Sequence, residues 1–151
     1  MHISAKVDYA VRALIVLAAS DGRPISGAAV AEAGGLPPKF LDAILAELRR
    51  SGLVASQRGA DGGYRLARPA KEIALADVFR AIDGPLAEVR GERPEQTSYA
   101  GVAHSLQGVW IAVRASLRSV LEQTTIADIA ADRLPRHVQR LIDDPDAWQA
   151  R

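Results

Sequence analysis

Residues 36–66 read LPPKFLDAILAELRRSGLVASQRGADGGYRL, and this stretch decides how the chain folds. In its first half, four apolar residues recur at the spacing that puts side chains on one helix face, namely Leu41, Ile44, Leu45 and Leu48. Proline is tolerated at a helix start, and glycine is favoured just past a helix end. The pattern therefore predicts a helix that begins at Pro37 and ends before Gly52, with one apolar face to bury.

The second half of the same stretch has a pattern typical of β-structure. Leu53–Ser56 is short and apolar, and Tyr64–Ala67 alternates between apolar and polar residues. Between them, Gln57–Gly63 is rich in glycine and contains Asp-Gly, a strong hairpin signal. Two strands alone are only marginally stable in water, so we expect this hairpin to pack against helices.

Two further helices are predicted before residue 36. Ser4 is a candidate N-cap for a first helix with apolar residues at three- and four-residue spacing. Ser26 is a candidate cap for a short helix over Gly27–Ala33, which Gly34-Gly35 closes as a turn. Three helices, the last two joined by a glycine turn, followed by a hairpin with a glycine-rich tip, are the plan of a winged helix-turn-helix.

The rest of the chain is also predicted to be helical. A helix over Leu75–Ile82 precedes a loop rich in Pro, Gly and charge over Gly84–Gln96. A long helix over Ser98–Gln123 carries apolar residues at alternating four- and three-residue spacing, which is typical of a coiled-coil-like packing surface. Thr125 and Asp128 resemble a capping box for a short helix over Ile126–Arg133.

The expected fold is mainly α with a small two-stranded antiparallel wing, a winged helix-turn-helix followed by a long dimerisation helix. It divides into a DNA-binding domain over 1–68, a connecting helix and loop over 69–97, the dimerisation helix and a short C-terminal helix over 98–134, and a tail over 135–151. Asp143–Asp146, with a proline inside it, marks a break, and we expect the short stretch after it to fray.

Composition excludes several classes of protein. The 151 residues carry 19 Lys and Arg against 18 Asp and Glu, and 48% of them are hydrophobic, as in an ordinary globular domain. The absence of cysteine removes disulfide frameworks, Cys-ligated zinc and thiolate nucleophiles. The three histidines, His2, His104 and His137, are scattered and indicate no metal site. No apolar run spans a membrane, so we expect a cytoplasmic protein without membrane contact.

Charge is distributed unevenly along the chain. Residues 1–70 hold nine Lys and Arg against six Asp and Glu, a net charge of +3, while residues 71–151 hold ten against twelve, a net charge of −2. A basic first half is compatible with a nucleic-acid partner. Arginine dominates the basic residues and suits phosphate and guanine contacts, although a GC-rich genome also favours arginine codons.

In a winged helix-turn-helix, the N-terminal residues of the second helix of the turn motif face base edges in the major groove. Here these candidates are Lys39, Phe40, Asp42 and Ala43. Lysine can donate to guanine, aspartate can accept from cytosine, and phenylalanine can touch a thymine methyl or instead serve as a buried anchor. The other candidate contacts lie at the far end of that helix and in the hairpin tip: Arg49, Arg50, Arg58 and Gly59.

The hairpin tip suits a narrow minor groove, because glycine permits close backbone approach and a single arginine fits there. The alternative is that its glycines only make a turn and that Arg58 is a solvated charge.

The run over 36–66 resembles the Rrf2 family of bacterial transcriptional regulators, the relatives of the iron–sulfur regulator IscR. The most specific part of the match is the pattern G-L-V-x-S-x-R-G-x-x-G-G-Y-x-L, which begins at Gly52. The segments MHISAKVDYAVRALIVLA, IALADVFRAIDGPL and VWIAVRASLRSVLEQTTIADI resemble the first helix, the fourth helix and the dimer helix of that family. The resemblance covers residues 1 to about 130.

The resemblance implies a cytoplasmic, homodimeric DNA-binding repressor or activator, and we expect a repressor. By position, it assigns base reading to Lys39, Phe40, Asp42 and Ala43, and the wing arginine to Arg58. Many members bind an iron–sulfur cluster through three cysteines between the fourth helix and the dimer helix. This chain has none there, so the resemblance implies a member without a cluster, and we expect no metal or other cofactor.

The expected dimer packs the seam of the long helix against its copy across a two-fold axis, so that two DNA-binding heads meet a palindromic operator in double-stranded DNA. The candidate interface residues are Val102, Leu106, Val109, Trp110, Val113, Leu117 and Val120. The alternative is that this seam packs within one chain against the winged helix.

The sequence leaves two alternative functions open. A winged-helix module that binds protein needs an apolar or acidic recognition surface, which the basic first half argues against. A small-molecule-responsive regulator needs an effector pocket, for which the loop over 86–102 offers Glu88, Arg90, Glu92, Arg93 and Tyr99, unless that loop is simply mobile. No catalytic triad, carboxylate pair or metal spacing indicates an enzyme.

Overall fold

The computed structural model describes residues 2–150, which form seven α-helices and one two-stranded sheet. The helices are α1 (Ala5–Ala19), α2 (Gly27–Gly34), α3 (Pro38–Arg50), α4 (Leu75–Ile82), α5 (Leu106–Leu121), α6 (Ile126–Ala130) and α7 (Arg136–Ile142). The strands are β1 (Val54–Gln57) and β2 (Gly63–Leu66). Short 3-10 turns lie at Ala70–Glu72, Pro94–Gln96, Gly101–Ala103 and Pro145–Trp148. No helix within residues 2–150 is long and apolar enough to cross a membrane.

The first helices begin and end where the capping residues predict. The Ser4 side chain accepts a hydrogen bond from the Val7 N–H at 3.1 Å, and Ser26 accepts one from Ala29 at 3.2 Å. Gly35 then adopts a left-handed conformation, with φ of 59°, and its N–H donates back to the last turn of α2. Glycine at this position allows a tight reversal between α2 and α3.

One hydrophobic core joins the first four helices, the sheet and α6. α1 is its centre, since it contacts α2, α3, α4, α6 and β2. The largest fully buried aliphatic side chains include Leu14, Leu17, Ile44, Leu45, Leu48, Ile73 and Ile126. Because Ile126 comes from α6, the chain returns after α5 to close the same core that α1 begins.

The antiparallel hairpin β1–β2, here called the wing, pairs Val54 with Leu66 and Gln57 with Gly63. Its strands are joined by the five residues 58–62, so Asp-Gly lies inside a longer loop rather than forming a two-residue turn. The wing is also held from below, because the Tyr64 N–H donates to the Ile25 carbonyl at 2.7 Å and Ile25 donates back at 3.0 Å. This third partner supplies the support that a lone hairpin lacks.

The long helix is shorter than the sequence predicts. α5 begins at Leu106, not at Ser98, because Gly101 adopts φ of 60° in a 3-10 turn that interrupts the helical spacing. Val102 lies in this turn, fully exposed at 110%, and so does not belong to the α5 surface. α6 also ends early, at Ala130, and Asp132 beyond it adopts a left-handed φ of 51°.

The tail predicted over 135–151 contains a helix that the sequence analysis does not predict, α7, and Arg151 lies outside the described residues. Pro135 precedes α7, a position where its fixed φ favours a helix start. Val138 is buried, and the ring Nε2 of His137 lies 2.7 Å from the Ser119 carbonyl of α5. The helix has only two turns and a few apolar residues, so its periodicity was too weak to stand out in the sequence.

We predict that Gly63→Ala destabilises the protein more than Gly59→Ala. Both glycines have positive φ, 141° and 107°, but a Cβ at Gly63 overlaps the Ile25 backbone whereas a Cβ at Gly59 meets open space. An unfavourable φ costs about 1–2 kcal/mol, and the overlap adds to that at Gly63 alone. Urea unfolding of the two variants measures the difference, and equal stability would contradict the proposed role of the Ile25 contact.

Candidate nucleic-acid interface

α3 buries one face completely and leaves the opposite face open. Leu41, Ile44, Leu45 and Leu48 are at most 2% exposed. Because a helix turns by 3.6 residues, Lys39, Ala43 and Arg50 then lie on the outward face, and all three are exposed. Ala46 lies on the same face, half-buried, although sequence reasoning did not select it. Two prolines fix the start of α3 without requiring backbone donors.

Charged side chains tie both edges of α3 to neighbouring elements. On the edge that faces α1, the Lys6 ammonium donates to Glu47 at 2.6 Å. On the edge that faces the wing, Arg49 donates to the Ser56 hydroxyl at 3.2 Å. Arg49 therefore links the end of α3 to the base of the wing, and Glu47 is neutralised by a partner from α1.

Phe40 is 55% exposed, so it is not the buried anchor that sequence analysis left open. With Lys6, Tyr9 and Ala43 it lines an apolar groove of about 320 Å³ between α1 and α3. Asp42 lies on the other side of the helix and is also exposed. The four residues selected at the start of α3 thus all reach solvent.

Arg12 holds the turn between α2 and α3, a role that its sequence position did not reveal. Its guanidinium donates to the carbonyls of Gly34 and Gly35, the second at 2.9 Å. These carbonyls lie at the C-terminal end of α2, where backbone acceptors lack helical partners and a positive charge is favoured. The sequence signal is only a basic residue in α1 and glycines in a turn 22 residues later.

The tip of the wing carries Arg58 and Gly59, both exposed. Within residues 2–150, no hydrogen bond or ion pair engages the Arg58 guanidinium, and none links the tip to the start of α3. Arg65, on β2, is a second exposed arginine of the wing that sequence analysis passed over. The candidate interface therefore has two separate parts, the start of α3 and the wing tip, and Arg49 and Ser56 join α3 to the wing.

α5 carries apolar residues that its own chain leaves uncovered. Val109 is 50% exposed and Val113 is 44% exposed, while Leu106, Leu117 and Val120 are half-buried. These five residues are called the α5 stripe below. The structure therefore does not pack this stripe against the winged helix of its own chain. Trp110 lies at the border of the stripe, where its indole N–H donates to the Tyr99 hydroxyl at 3.2 Å.

A polar cavity of about 460 Å³ lies between α4, α5 and the loop that joins them. Its lining includes Arg80, Arg93, Glu95, Arg114 and Arg118. Of the five loop residues that the sequence proposed for an effector pocket, only Arg93 is among them. The others do not contribute, and Arg90 instead lies over the Tyr99 ring, 5.8 Å from its centre.

Comparison with known proteins gives the family. The Rrf2 family model, described as an iron-dependent transcriptional regulator, matches residues 3–132 of this chain. The chain belongs to the Rrf2 family of transcriptional regulators. The protein Rv1287 of Mycobacterium tuberculosis, which carries the name of an HTH-type transcriptional regulator, is 52% identical over 99% of this chain and 94% of its own length. CymR of Bacillus subtilis is 33% identical over 87% of this chain and 91% of its own.

Solved structures of Rrf2 regulators share the fold. CymR, the global cysteine regulator of B. subtilis, matches with a TM-score of 0.73 at 30% identity, over 87% of this chain and 98% of CymR. IscR of T. potens matches with a TM-score of 0.66 at 32% identity, over 100% of this chain and 93% of IscR. The predicted family and the winged helix fold are confirmed. The chain is a DNA-binding transcriptional regulator of a family that is not enzymatic.

The iron named for the Rrf2 family finds no matching ligand set in this member. The chain has no cysteine, so it supplies no thiolate for an iron–sulfur cluster. Within residues 2–150, no group of three or more His, Asp or Glu side chains is arranged to hold a metal ion. His104, the histidine in the region where relatives hold a cluster, is exposed and belongs to no group of metal-ligating side chains among the described residues. The residues present do not fit the metal that the family description implies.

We predict that Arg12→Met destabilises the protein by about 1–2 kcal/mol, because two charge-assisted hydrogen bonds to the turn carbonyls are lost. Amide hydrogen exchange in α2 should accelerate as well. Arg23→Met is the matched control, since Arg23 is exposed and donates only to Ser20, three residues away. Urea unfolding and hydrogen exchange measure both effects, and an Arg12→Met protein as stable as the control contradicts the prediction.

Proposed function

We propose that this Rrf2 regulator acts as a homodimer that binds a palindromic operator in the cytoplasm, where the DNA is, and represses transcription. The observation that carries the proposal is the combination, in one chain, of an exposed start of α3 beside the wing with an uncovered apolar stripe on α5. The first feature supports reading of a half-site, and the second supports a symmetric partner.

The argument for the dimer rests on the α5 stripe. Leu121, on the neighbouring side of α5, packs with Val7, Ala76 and Phe79, which joins α5 to the DNA-binding head. The α5 stripe lies beside this contact and has no such cover, although a contiguous apolar surface is normally buried in an assembly. A second copy of the same helix offers a matching surface across a two-fold axis.

The argument for sequence reading rests on the start of α3. Its exposed residues combine a donor in Lys39, an acceptor in Asp42 and apolar contacts in Phe40 and Ala43. These types suit guanine, cytosine and the thymine methyl group in the major groove. Two heads related by a two-fold axis then read half-sites about 34 Å apart, which is one turn of B-DNA.

The argument for phosphate and minor-groove contacts rests on charge. Arg49 and Arg50 lie at the far end of α3, where cations meet the backbone of a bound duplex and fix its register. Arg58 has no partner in the described chain and lies beside Gly59, which permits close approach of the backbone to a narrow groove. Repression follows if such a dimer covers a promoter and excludes RNA polymerase.

Genome-wide mapping of bound DNA, followed by a promoter fusion in a deletion strain, tests the proposal as a whole. We expect a shared inverted repeat beneath the bound sites and higher reporter expression when the regulator is absent. Bound sites without two-fold symmetry contradict the palindromic operator, and lower expression in the deletion strain contradicts repression.

We predict that Lys39→Ala weakens binding to the mapped operator by about 5- to 150-fold, since one good base contact contributes about 1–3 kcal/mol. Arg58→Ala should weaken it by about tenfold, with a smaller slope of affinity against salt concentration. Lys71→Ala is the control, because Lys71 is exposed on the 3-10 turn after the wing and outside both parts of the interface. Fluorescence anisotropy at several salt concentrations measures these effects. Equal affinity of Lys39→Ala and Lys71→Ala excludes Lys39 from the interface.

We predict that Val113→Glu raises the dimer dissociation constant at least about 100-fold, because two unpaired carboxylates enter an apolar surface. Ala115→Glu is the matched control, since Ala115 is exposed on the opposite face of α5. Sedimentation velocity at micromolar concentration should show a monomer for the first variant and a dimer for the second. A dimer for Val113→Glu, with an unchanged dissociation constant, rules out the α5 stripe as the interface.

A further inference from the structure

The cavity between α4 and α5 has an unusual concentration of arginine. Four of its nine lining residues are arginines, drawn from three parts of the chain, namely Arg80, Arg93, Arg114 and Arg118. Glu95 is the one acidic residue among the nine, so the lining carries a net charge of +3. Glu122 and Asp77 lie just outside the lining and pair with its arginines, and counting both leaves a net charge of +1. An electropositive concave surface of this kind raises the local concentration of anions.

The arginines form two groups at different places in the cavity. In one group, Arg114 of α5 pairs with Glu95 of the loop, and Arg93 lies near the same carboxylate. The hydrogen bonds that Glu95 receives from its own backbone and from Arg114 lower its pKa below the usual range, so this carboxylate stays charged at neutral pH.

In the other group, Arg80 of α4 and Arg118 of α5 share the carboxylate of Glu122, and the Arg118 Nε lies 3.0 Å from it. The hydrogen bond from Arg80 is the largest cause that lowers the pKa of Glu122. Asp77 also lies 3.9 Å from the Arg80 guanidinium, but each guanidinium has five donors, and these two carboxylates leave several of them without a partner. Donors in this group therefore remain for a further oxyanion.

Among the four arginines of the lining, Arg93 has the most guanidinium donors without a hydrogen-bond partner. Its guanidinium is exposed and makes no hydrogen bond or ion pair among residues 2–150, although the charge of Glu95 is near. The lining also includes the apolar residues Pro85, Leu86 and Ala87. A ligand that matches this surface has an acidic group for each arginine group and a short carbon skeleton between them.

The cavity is connected to the DNA-binding head through Leu86, one of its lining residues. Leu86 packs against the cluster of Val7, Ala76, Phe79 and Leu121, in which α1, α4 and α5 meet. The same two helices, α4 and α5, are joined at the cavity by the Arg80–Glu122–Arg118 contacts. An anion that draws these arginines away from Glu122 changes how α5 is held against the head.

We propose that this cavity is the effector site of the regulator and binds a small organic anion with at least two carboxylate or phosphate groups. Occupancy shifts the orientation of α5 relative to the head and thereby changes operator affinity, a step that rests on the dimeric function proposed above. The binding step itself requires neither DNA nor the dimer.

Isothermal titration calorimetry on the full chain, at constant ionic strength, tests the binding step. The probes are citrate for a polycarboxylate, fructose 1,6-bisphosphate for a bisphosphate, and acetate for a single carboxylate. We expect one of the first two to bind saturably to the wild type below 1 mM, with acetate at least about tenfold weaker, since it reaches only one arginine group. The better probe identifies the type of acidic group.

Arg93→Ala should weaken the better probe at least about tenfold, since it removes a charged donor without breaking an ion pair. Arg93→Lys, which keeps the charge, should restore part of the affinity. Arg90→Ala is the matched control, because Arg90 belongs to the same loop but does not line the cavity, and it should bind as the wild type does. A melting temperature within about 2 °C of wild type for each variant shows that folding is preserved.

Three results overturn the proposal: no saturable binding of citrate or the bisphosphate up to 10 mM, equal affinity for acetate, or equal affinity of Arg93→Ala and Arg90→Ala. The operator titrations above are independent of this result, so failure of the anion site leaves the DNA-binding function standing, and failure of DNA binding leaves the anion site standing. A separate measurement tests the regulatory step. Addition of the better probe to the operator complex should change operator affinity at least about threefold, and unchanged affinity overturns the regulatory step.

Discussion

Leu41, Ile44, Leu45 and Leu48 pack into the core around α1, and this contact fixes the rotation of α3 about its own axis. Burial of four aliphatic side chains stabilises that rotation by several kcal/mol, at about 1.5–3 kcal/mol for each side chain that is fully buried. The outward residues of α3 have almost no freedom to choose another direction. The directions of the outward side chains of α3 are thus set by the residues on its buried face.

The same core joins parts of the chain that are far apart in the sequence. α6 returns after α5 to bury Ile126 in the core that α1 begins, and its start is fixed by reciprocal hydrogen bonds between Thr125 and Asp128. The N–H of Ile126 also donates to the carbonyl of Ile73, just before α4. α5 is therefore anchored at its C-terminal end, while its N-terminal end depends on the loop and on contacts such as that of Trp110 with Tyr99.

Much of this arrangement follows from local patterns in the sequence. Capping serines, the Pro37-Pro38 start of α3 and the apolar spacing of each long helix act over a few residues, and so they predict the first three helices, the wing and α4. The start of α5 was not predicted because the apolar spacing of α5 continues back to Val102. Only the left-handed backbone conformation of Gly101 shows that the helix begins after this point. α7 was missed because it is short and depends on contacts with α5.

The candidate site also contains some features that the sequence predicts and others that it does not. The exposure of Lys39, Asp42 and Ala43 follows from helical geometry and was predictable. The role of Arg12 was not, because its partners are carbonyls of Gly34 and Gly35, and no side-chain type indicates a backbone acceptor. The grouping of arginines from α4, a loop and α5 around one cavity likewise depends on tertiary packing, which brings together residues 38 positions apart, as with Arg80 and Arg118.

The pairing of Ile25 with Tyr64 also limits how the protein can respond to a signal. β2 is bonded both to β1 and to the segment between α1 and α2, and Arg49 of α3 donates to Ser56 of β1, so the wing is tied to the rest of the head at two places. Each added base pair in the centre of an operator separates its halves by about 3.4 Å and turns them by about 35° relative to each other. A wing held in this way resists bending away from the head, so in the proposed dimer tolerance for variable operator spacing has to come from the helices that join the two heads.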